Sequence, residues 1–307
     1  MARRCLPNPC VMLFLLGMIA LSAYFHFGSG IFVDGQECVF FVDTGGGVWR
    51  LDPPGNLTLI HRHAYHWMAF DKNGSFANSQ ALGKFDGGSF ELATPPGAVP
   101  ALIISSDFPV AVGNDGGLYY VPYKESGARE LIRRMPDGSR SVFAVLPADT
   151  GPEAMRWVNG IALASDGALY VTDNDAIRRI ARDGAVSTIR KGIRADDCSD
   201  PPPETPKLPY LRGLAVAQDG TIYAAATGCR SVIAILPSGS PKTVAKAETP
   251  WSPTGVALSG RDLYILEYLH TPGGDRRIWI PRVRKVAADG TVTTLATVER
   301  ARSRQNH

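Results

Sequence analysis

Three histidines lie close together in the sequence, and two of them have the spacing of a strand. His61 and His63 alternate as residues on one face of a strand do, and His66 follows three positions later. Three imidazoles can bind a metal ion and leave one coordination position open. No cysteine or clear carboxylate partner stands beside them, so ordinary surface or turn histidines are the alternative interpretation. The sequence leaves both interpretations open.

An arginine and an asparagine occupy matching places further along the chain. Asn159 precedes Gly-Ile-Ala-Leu-Ala, and Arg212 precedes Gly-Leu-Ala-Val-Ala. Together with His66, Arg212 would suit an anionic group such as a carboxylate or a phosphate. Asp173 and Glu267 stand in or beside loops that would form the rim of the same site. We therefore predict a ligand-binding site built from His66, Asn159 and Arg212, with Asp173 and Glu267 at its edge.

The elements that must position these side chains are copies of one repeat. The clearest copy runs from Gly160 to Asp173, and it recurs from Gly213 to Ala226 as an apolar run, an Asp-Gly turn and a second alternating run. Self-similarity at a period of roughly 40 to 50 residues, with β character throughout, is typical of a β-propeller. The predicted inner strands start at Ile31, Met68, Val110, Ile161, Leu214 and Val256.

Turn signals between these runs predict hairpins. Glycine after aspartate or asparagine tolerates the positive φ of a tight turn. These pairs are Asn73-Gly74, Asp115-Gly116, Asp166-Gly167 and Asp219-Gly220. The sequence thus predicts an all-β fold, a six-bladed β-propeller of four-stranded antiparallel blades. Residues 28–300 would form this single domain and residues 301–307 a basic tail, and blade 2, from Met68 to Ser105, is the weakest copy.

The N-terminal residues 1–27 resemble a targeting segment. Arg3 and Arg4 precede an uncharged, largely apolar run at residues 11–27. A basic start followed by an apolar run indicates entry into a secretory route. The run is also near the shortest length that spans a membrane. We therefore expect a preceding apolar helix that serves as a signal peptide or as a membrane anchor, and a secreted, periplasmic or membrane-anchored protein.

Two cysteines are placed for a disulfide. Cys198 lies in the connection between blades 4 and 5, and Cys229 follows the second predicted strand of blade 5. Both kinds of loop emerge on the same face of a propeller, so in an oxidising compartment these two residues can pair. Reduced thiols, together with Cys38, are the alternative if the domain stays in a reducing compartment.

Charge and motif content exclude several function classes. The 307 residues contain 32 Lys and Arg against 29 Asp and Glu, a formal net charge of +3. The arginines are scattered among strand residues, which argues against a nucleic-acid partner. The sequence has no Gly-x-Ser-x-Gly elbow, His-Glu-x-x-His run, phosphate loop or Cys-x-x-Cys pair, so it gives no support to nucleophilic catalysis.

The segment from Asn159 to Asp173 resembles the blade consensus of the NHL-repeat and senescence-marker-protein/gluconolactonase-like superfamily of six-bladed propellers. This resemblance covers residues 30–298 and implies the same fold. In the lactonase branch it also implies a divalent metal, usually calcium, at the axial mouth, held by Glu, Asn and Asp side chains at blade starts.

Aligning the blade starts of this chain gives one residue per blade, a set that we name the axial ring: Ser29, His66, Phe108, Asn159, Arg212 and Thr254. Asn159 matches the ligand type that the resemblance implies and would be the residue to contact calcium. Ser29 stands where the glutamate is expected, and Arg212 stands where the aspartate is expected. A cation at that position would repel a metal that prefers several hard oxygen ligands.

Two functions remain open at the level of the sequence. The first is an extracytoplasmic propeller that binds a small molecule, for which an anionic group is one option, or a protein partner on its top face. The second is a hydrolase of the lactonase or strictosidine-synthase-like type with a remodelled metal site. A deep polar well at the axial mouth would favour a small ligand, whereas a flat apolar top would favour a protein.

Overall fold

A computed structural model shows six four-stranded antiparallel sheets whose inner strands surround a common axis. The structure describes residues 28–63, 65–85, 88–123, 129–148, 155, 157–193, 198, 201–202, 209–269 and 278–299. The predicted six-bladed propeller is therefore confirmed. The predicted N-terminal helix and the basic tail at 301–307 lie outside the described residues. Within the described residues, no helix is long and apolar enough to cross a membrane.

Each blade is formed by one continuous segment of the chain. The strands of blades 1 to 3 are β1 (Ile31–Val33), β2 (Val39–Asp43), β3 (Gly47–Leu51), β4 (Leu57–His61), β5 (Trp67–Asp71), β6 (Gly83–Phe85), β7 (Gly88–Leu92), β8 (Ala101–Ser105), β9 (Val110–Val112), β10 (Leu118–Tyr120), β11 (Arg129–Arg134) and β12 (Arg140–Leu146). The strands of blades 4 to 6 are β13 (Gly160–Leu163), β14 (Leu169–Asp173), β15 (Ala176–Ile180), β16 (Val186–Arg190), β17 (Leu211–Val216), β18 (Ile222–Ala226), β19 (Ser231–Ile235), β20 (Pro241–Lys246), β21 (Trp251–Ser259), β22 (Asp262–Leu269), β23 (Ile280–Val286) and β24 (Val292–Thr297).

The inner strands lie where the repeat predicts them, although β17 and β21 begin earlier, at Leu211 and Trp251. All six predicted strand starts lie in β1, β5, β9, β13, β17 and β21. These apolar residues line part of a cavity of about 350 Å³ along the axis, whose lining also includes Asp71, Lys72 and Asn73. The predicted turns adopt the expected backbone, as Gly167 and Gly220 show with φ values of +80° and +86°. Apolar clusters fill the spaces between neighbouring blades, which is how each blade buries a face that it cannot cover alone.

Blade 2 differs from the others in its strand order. Across this sheet the order is β5-β8-β7-β6, so β5 pairs with the last strand of the blade rather than with the next one. The predicted Asn73-Gly74 hairpin forms a turn, in which the Gly74 N–H donates to the Asp71 carbonyl at 3.2 Å, but no second strand follows it directly. Instead, the Asp71 carboxylate accepts the Phe76 N–H at 2.7 Å, and the Phe76 ring is fully buried. The expectation of a sequential hairpin was wrong here because this segment enters the core.

Blade 6 closes the ring against blade 1 through buried hydrogen bonds. The Thr254 hydroxyl donates to the Gly28 carbonyl at 2.6 Å. The Tyr268 hydroxyl donates to the Val42 carbonyl at 2.6 Å and accepts the Thr44 N–H at 3.2 Å. Among the described residues, no sheet contains strands of both the first and the last blade, and these side-chain bonds help to join the two blades.

The predicted disulfide is confirmed. Cys198 and Cys229 are bonded, with their Cα atoms 4.4 Å apart. Cys229 ends a 3₁₀ turn, Thr227–Cys229, whose Gly228 N–H donates to the Pro209 carbonyl at 2.9 Å. The disulfide ties this turn to Cys198, and the Gly228 hydrogen bond ties it to the chain that leads into β17. Cys38 is a free thiol, and burial raises its pKa.

Candidate functional site

The axial ring forms at the end of the propeller where the inner strands begin, which we call the upper face. Its six residues are all at most 9% exposed. Backbone and side-chain bonds join neighbouring members, as when the Ser29 N–H donates to the His66 carbonyl at 2.7 Å. The Asn159 side-chain amide donates to the Leu211 carbonyl at 2.9 Å. Repeat position alone therefore brings together His66, Asn159 and Arg212, which are far apart in the sequence.

Glycines let the inner strands approach one another on one side of the ring. A glycine follows the ring residue in four blades: Gly30, Gly160, Gly213 and Gly255. A Cβ on Gly255 would overlap the Ser29 carbonyl oxygen, and one on Gly213 would lie 2.8 Å from the Gly255 Cα. In blades 2 and 3 the same position holds Trp67 and Pro109 instead. The strands cannot pack as closely there.

A cleft of about 440 Å³ opens on that side, between blades 2, 3 and 4. Its apolar wall includes four aromatic side chains, which are Trp67, Phe108, Tyr123 and Trp157. Its polar side chains include His66, Asp107, Arg129 and Asn159. Small-molecule sites have this character, with an apolar lining and a few placed polar groups in a volume of about 300 to 1,000 Å³. We refer to it as the blade 2–4 cleft.

The imidazole of His66 is oriented by a backbone group. Its Nδ1 donates to the Ser106 carbonyl at 2.8 Å, and its ring lies edge-to-face against Trp67 with the centroids 5.3 Å apart. In the neutral imidazole this bond leaves Nε2 as the nitrogen that can accept a hydrogen bond or a proton. His66 thus offers the cleft a fixed polar group.

The Trp67 side chain links blade 2 to blade 4 at the wall of the cleft. Its indole N–H donates to the Asn159 carbonyl at 3.1 Å, so a side chain from blade 2 reaches the ring residue of blade 4. The Asn159 N–H donates within its own blade, to the Thr172 carbonyl at 2.9 Å. With backbone and amide groups both bonded, Asn159 has a defined orientation at the cleft wall.

Tyr123 and Trp157 form an exposed aromatic pair at the entrance. Their rings stack with centroids 5.3 Å apart and planes inclined by 13°. They are 56% and 38% exposed, which places them among the most exposed large apolar side chains of the described chain. Arg129 lines the same cleft and is 4% exposed. The cleft therefore combines an open aromatic face with a deeply placed cation.

Arg212 lies at its predicted ring position but is more deeply buried than the prediction implied. It is 1% exposed, its guanidinium carbon lies 5.9 Å from the Tyr210 ring centroid, and its carbonyl accepts the Thr172 hydroxyl at 2.6 Å. Burial lowers the pKa of Arg212, while the neighbouring tyrosines Tyr210 and Tyr268 oppose that shift. The described lining of the blade 2–4 cleft includes His66 and Asn159 but neither Arg212 nor Asp173.

Asp173 and Glu267 end up in different surroundings. Asp173 closes β14 and is 5% exposed. Glu267 lies in β22, fully buried, where Arg282 donates to it from Nε at 2.6 Å and Arg284 from a terminal nitrogen at 3.0 Å. Burial raises the pKa of Glu267 and the two arginines act against it. Its carboxylate is engaged by its own blade rather than by the cleft.

The ion pairs of Glu267 extend to the blade 5–6 connection. Arg282 also donates to both oxygens of Glu248, at 2.6 and 3.0 Å, and its guanidinium carbon lies 4.1 Å from the Trp251 ring centroid. We name Glu248, Glu267, Arg282 and Arg284 the charged network. It stabilises the side of the molecule that faces away from the cleft.

Sequence reasoning missed the cleft residues Trp67, Asp107, Tyr123, Arg129 and Trp157. One signal was present. Trp157 stands two residues before Asn159, in an irregular connection where β propensity does not call for a large aromatic residue. Such aromatic residues in connections beside ring positions indicate a binding wall.

The axial ring does not fit calcium. Its six members provide the Asn159 amide and two hydroxyls, none is a carboxylate, and Arg212 puts a buried cation among them. The Thr254 hydroxyl already donates to the Gly28 carbonyl. Calcium binds through six to eight oxygen ligands, usually including carboxylates. The predicted histidine trio also divides, because His61 and His63 lie with Glu91, whereas His66 belongs to the cleft.

Comparisons with known proteins place the fold. No family model matches the chain, and no curated protein matches it. A luciferin-regenerating enzyme has a similar structure, with a TM-score of 0.56 and 15% identity over 91% of this chain and 95% of that one. A gluconolactonase from Xanthomonas campestris has a TM-score of 0.50 at 17% identity, over 79% and 84% of the two chains.

A virginiamycin B lyase from Staphylococcus aureus is similar to the same extent, with a TM-score of 0.50 and 16% identity over 87% of this chain and 83% of that one. At such identities the similarity shows the fold alone. The resemblance to gluconolactonase-like six-bladed propellers is therefore confirmed for the fold.

Proposed function

We propose that this protein binds a small ligand with a planar aromatic part and an anionic group in the blade 2–4 cleft. The observation that carries the proposal is the cleft itself, a cavity of about 440 Å³ in which an aromatic wall meets fixed polar groups. A cavity of this volume favours a small molecule over a protein partner, which would need a larger contact area.

The chemistry of the lining gives the ligand its character. The stacked pair of Tyr123 and Trp157 offers an exposed π-face to a planar ring. Arg129 also lines the cleft, and its guanidinium has five N–H donors, so it can donate to a carboxylate or phosphate of the ligand alongside its contacts within the protein. His66 adds a polar side chain of fixed orientation to the lining, with its Nε2 buried behind the cleft surface. Asp107 is exposed at the margin, where it would repel a second anionic group.

Arg212 takes a different role in this proposal. Its side chain is buried to 1% exposure and does not line the cleft. We assign contact with the anionic group to Arg129, and we assign to Arg212 a structural role beside Tyr210 at the entry to β17. Asp173 and Glu267 likewise contribute to the scaffold.

The proposed location is extracytoplasmic. The disulfide between Cys198 and Cys229 supports it, because structural disulfides persist in oxidising compartments. The basic and apolar N-terminal residues support it as well. Reducing and non-reducing peptide maps of the protein from its native source would test the state of these two cysteines.

The binding proposal is tested with a pair of probes that differ only in charge, 2-naphthoate and 2-naphthamide. Trp157→Ala should weaken binding of both probes, by about 10-fold or more for a lost stacking contact. Arg129→Gln should weaken binding of the carboxylate by about 10- to 100-fold, the range of a charged hydrogen bond, and spare the amide. Arg179→Gln, which removes a surface ion pair with Asp166, is the matched control. Equal affinities in all variants would place the binding elsewhere.

The hydrolase alternative stays a second hypothesis, in a form without calcium. The observation that favours it is the orientation of His66 at the cleft wall through Nδ1, since a histidine held in this way can act as a general base at Nε2 once the substrate gives access to that buried atom. Hydrolysis of simple aromatic lactones that is lost in His66→Gln and unaffected by chelation would support it. Absence of turnover with tight probe binding would favour the binding function.

A further inference from the structure

A second cluster of metal-binding side chains lies at the boundary of blades 1 and 2, outside the blade 2–4 cleft. His61 is the last residue of β4, His63 follows two positions later, and Glu91 belongs to β7 of the neighbouring blade. One ligand atom from each of these residues lies within 4.8 Å of the others. Blade packing therefore brings together two imidazoles and a carboxylate from elements 28 residues apart.

The distances inside the cluster are close to those of a coordination shell. His63 Nδ1 lies 3.2 Å from a Glu91 carboxylate oxygen. Zinc ligands at about 2.0 to 2.2 Å from the ion are roughly 3.3 Å apart in a tetrahedron. Ligand atoms that now lie up to 4.8 Å apart would have to approach one another by roughly 1.5 Å to complete a three-ligand face. The His63 N–H contact with His61 Nδ1, at 3.4 Å, is the one bond that coordination through that nitrogen would replace.

Tyr65 supports the cluster from below. Its hydroxyl lies 3.0 Å from His63 Nδ1 and is hydrogen-bonded to Glu91, and the residue is only 3% exposed. Coordination through His63 Nδ1 would replace its contact with Tyr65, whereas the Tyr65 bond to Glu91 would remain and orient that ligand, as outer partners of metal sites commonly do. The rings of His61 and Tyr65 also pack edge-to-face, with centroids 5.7 Å apart.

We propose that His61, His63 and Glu91 bind a zinc-type divalent ion that joins blade 1 to blade 2. Nitrogen ligands with one carboxylate suit zinc and its first-row neighbours rather than calcium or magnesium. Three protein ligands leave a position for water on the solvent side. The ion would connect the outer strand of blade 1 to the blade whose strand order departs from the repeat, and it does not depend on the ligand proposed for the cleft.

The competing explanation is a simple surface ion pair between His63 and Glu91, whose side chains are 67% and 42% exposed. Titration calorimetry of the untagged full chain with Zn²⁺, after dialysis against a chelator, distinguishes the two. The proposal predicts one equivalent bound and a thermal midpoint that rises by several degrees with the ion. His61→Ala and Glu91→Gln should each weaken binding by 10-fold or more.

The control is Glu299→Gln, which removes an exposed carboxylate that follows β24 in blade 6 and is not among the three clustered side chains. It should leave zinc affinity unchanged. Absorption of the Co²⁺ form gives a second readout, since a band that reports nitrogen ligation should vanish in His61→Ala even if that variant is less stable. If the parent protein does not bind zinc, or if His61→Ala and Glu91→Gln bind it as tightly as the parent does, the metal site is wrong and the ion pair is the explanation of the cluster.

Discussion

The two sides of the axial ring are built from the same repeat position and have opposite character. On the side of blades 5, 6 and 1, glycines follow the ring residues, and a Cβ on Gly255 would overlap the Ser29 carbonyl oxygen. In blades 2 and 3, Trp67 and Pro109 stand at that position, and a cleft opens between these blades and blade 4, which has Gly160 there. The comparison teaches that one residue per repeat decides whether neighbouring inner strands seal the axis or leave room for a ligand.

The closed side also holds the buried polar groups that stabilise the ring. The hydroxyls of Thr254 and Tyr268 donate to backbone carbonyls of blade 1. The charged network lies in blade 6 and in the blade 5–6 connection. The open side instead exposes aromatic rings, Tyr123 and Trp157. Substitutions on the closed side should therefore change stability, and those on the open side should change binding.

The largest expected effect is on the charged network. Glu267→Ala would leave the Arg282 and Arg284 side chains, which are 8% and 12% exposed, without their buried carboxylate. Removing one partner of a buried ion pair costs about 3–5 kcal/mol of unfolding free energy. Chemical denaturation measures this loss, and naphthoate affinity of the folded fraction should be unchanged. A cost under about 1 kcal/mol would show that the network contributes little.

A smaller effect is expected where glycine seals the axis. Gly255→Ala should cost about 1–3 kcal/mol, because its Cβ meets the Ser29 carbonyl and the strands must separate. Gly35→Ala is the matched control, since nothing lies within 4 Å of its Cβ, and it should stay within about 0.5 kcal/mol. Equal melting temperatures for the two variants would contradict the role assigned to this glycine.

The repeat predicted the ring and the disulfide but not the cleft. Ring positions follow from aligning strand starts, and Cys198 and Cys229 follow from where propeller loops emerge, so both were accessible from the sequence. The strand order of blade 2 was not, because it depends on Phe76 entering the core in place of a second strand. The partners of Glu267 depend on the register of β22 against β23, where Glu267 faces Arg282.

The smallest expected effect concerns pH. Arg282 holds the pKa of Glu248 at about 2, below its ordinary 4.5, against the opposing effect of burial. A carboxyl group whose pKa is lower in the folded protein than in the unfolded chain stabilises the fold at pH values above its unfolded-state pKa. For Glu248 this contribution is lost as the pH falls from about 4.5 toward 2. The Glu248 side chain is 63% exposed, so solvent reduces the effect to roughly 1 kcal/mol or less. Glu248→Gln should therefore be less stable than the parent at pH 7 and equally stable near pH 2.

The most direct test of the open side is a crystal of the protein soaked with 2-naphthoate. The account predicts the naphthyl ring against Tyr123 and Trp157 and the carboxylate toward Arg129, in the blade 2–4 cleft. Density in the axial cavity lined by Ile31 and Leu214, or at the charged network with an empty cleft, would contradict it.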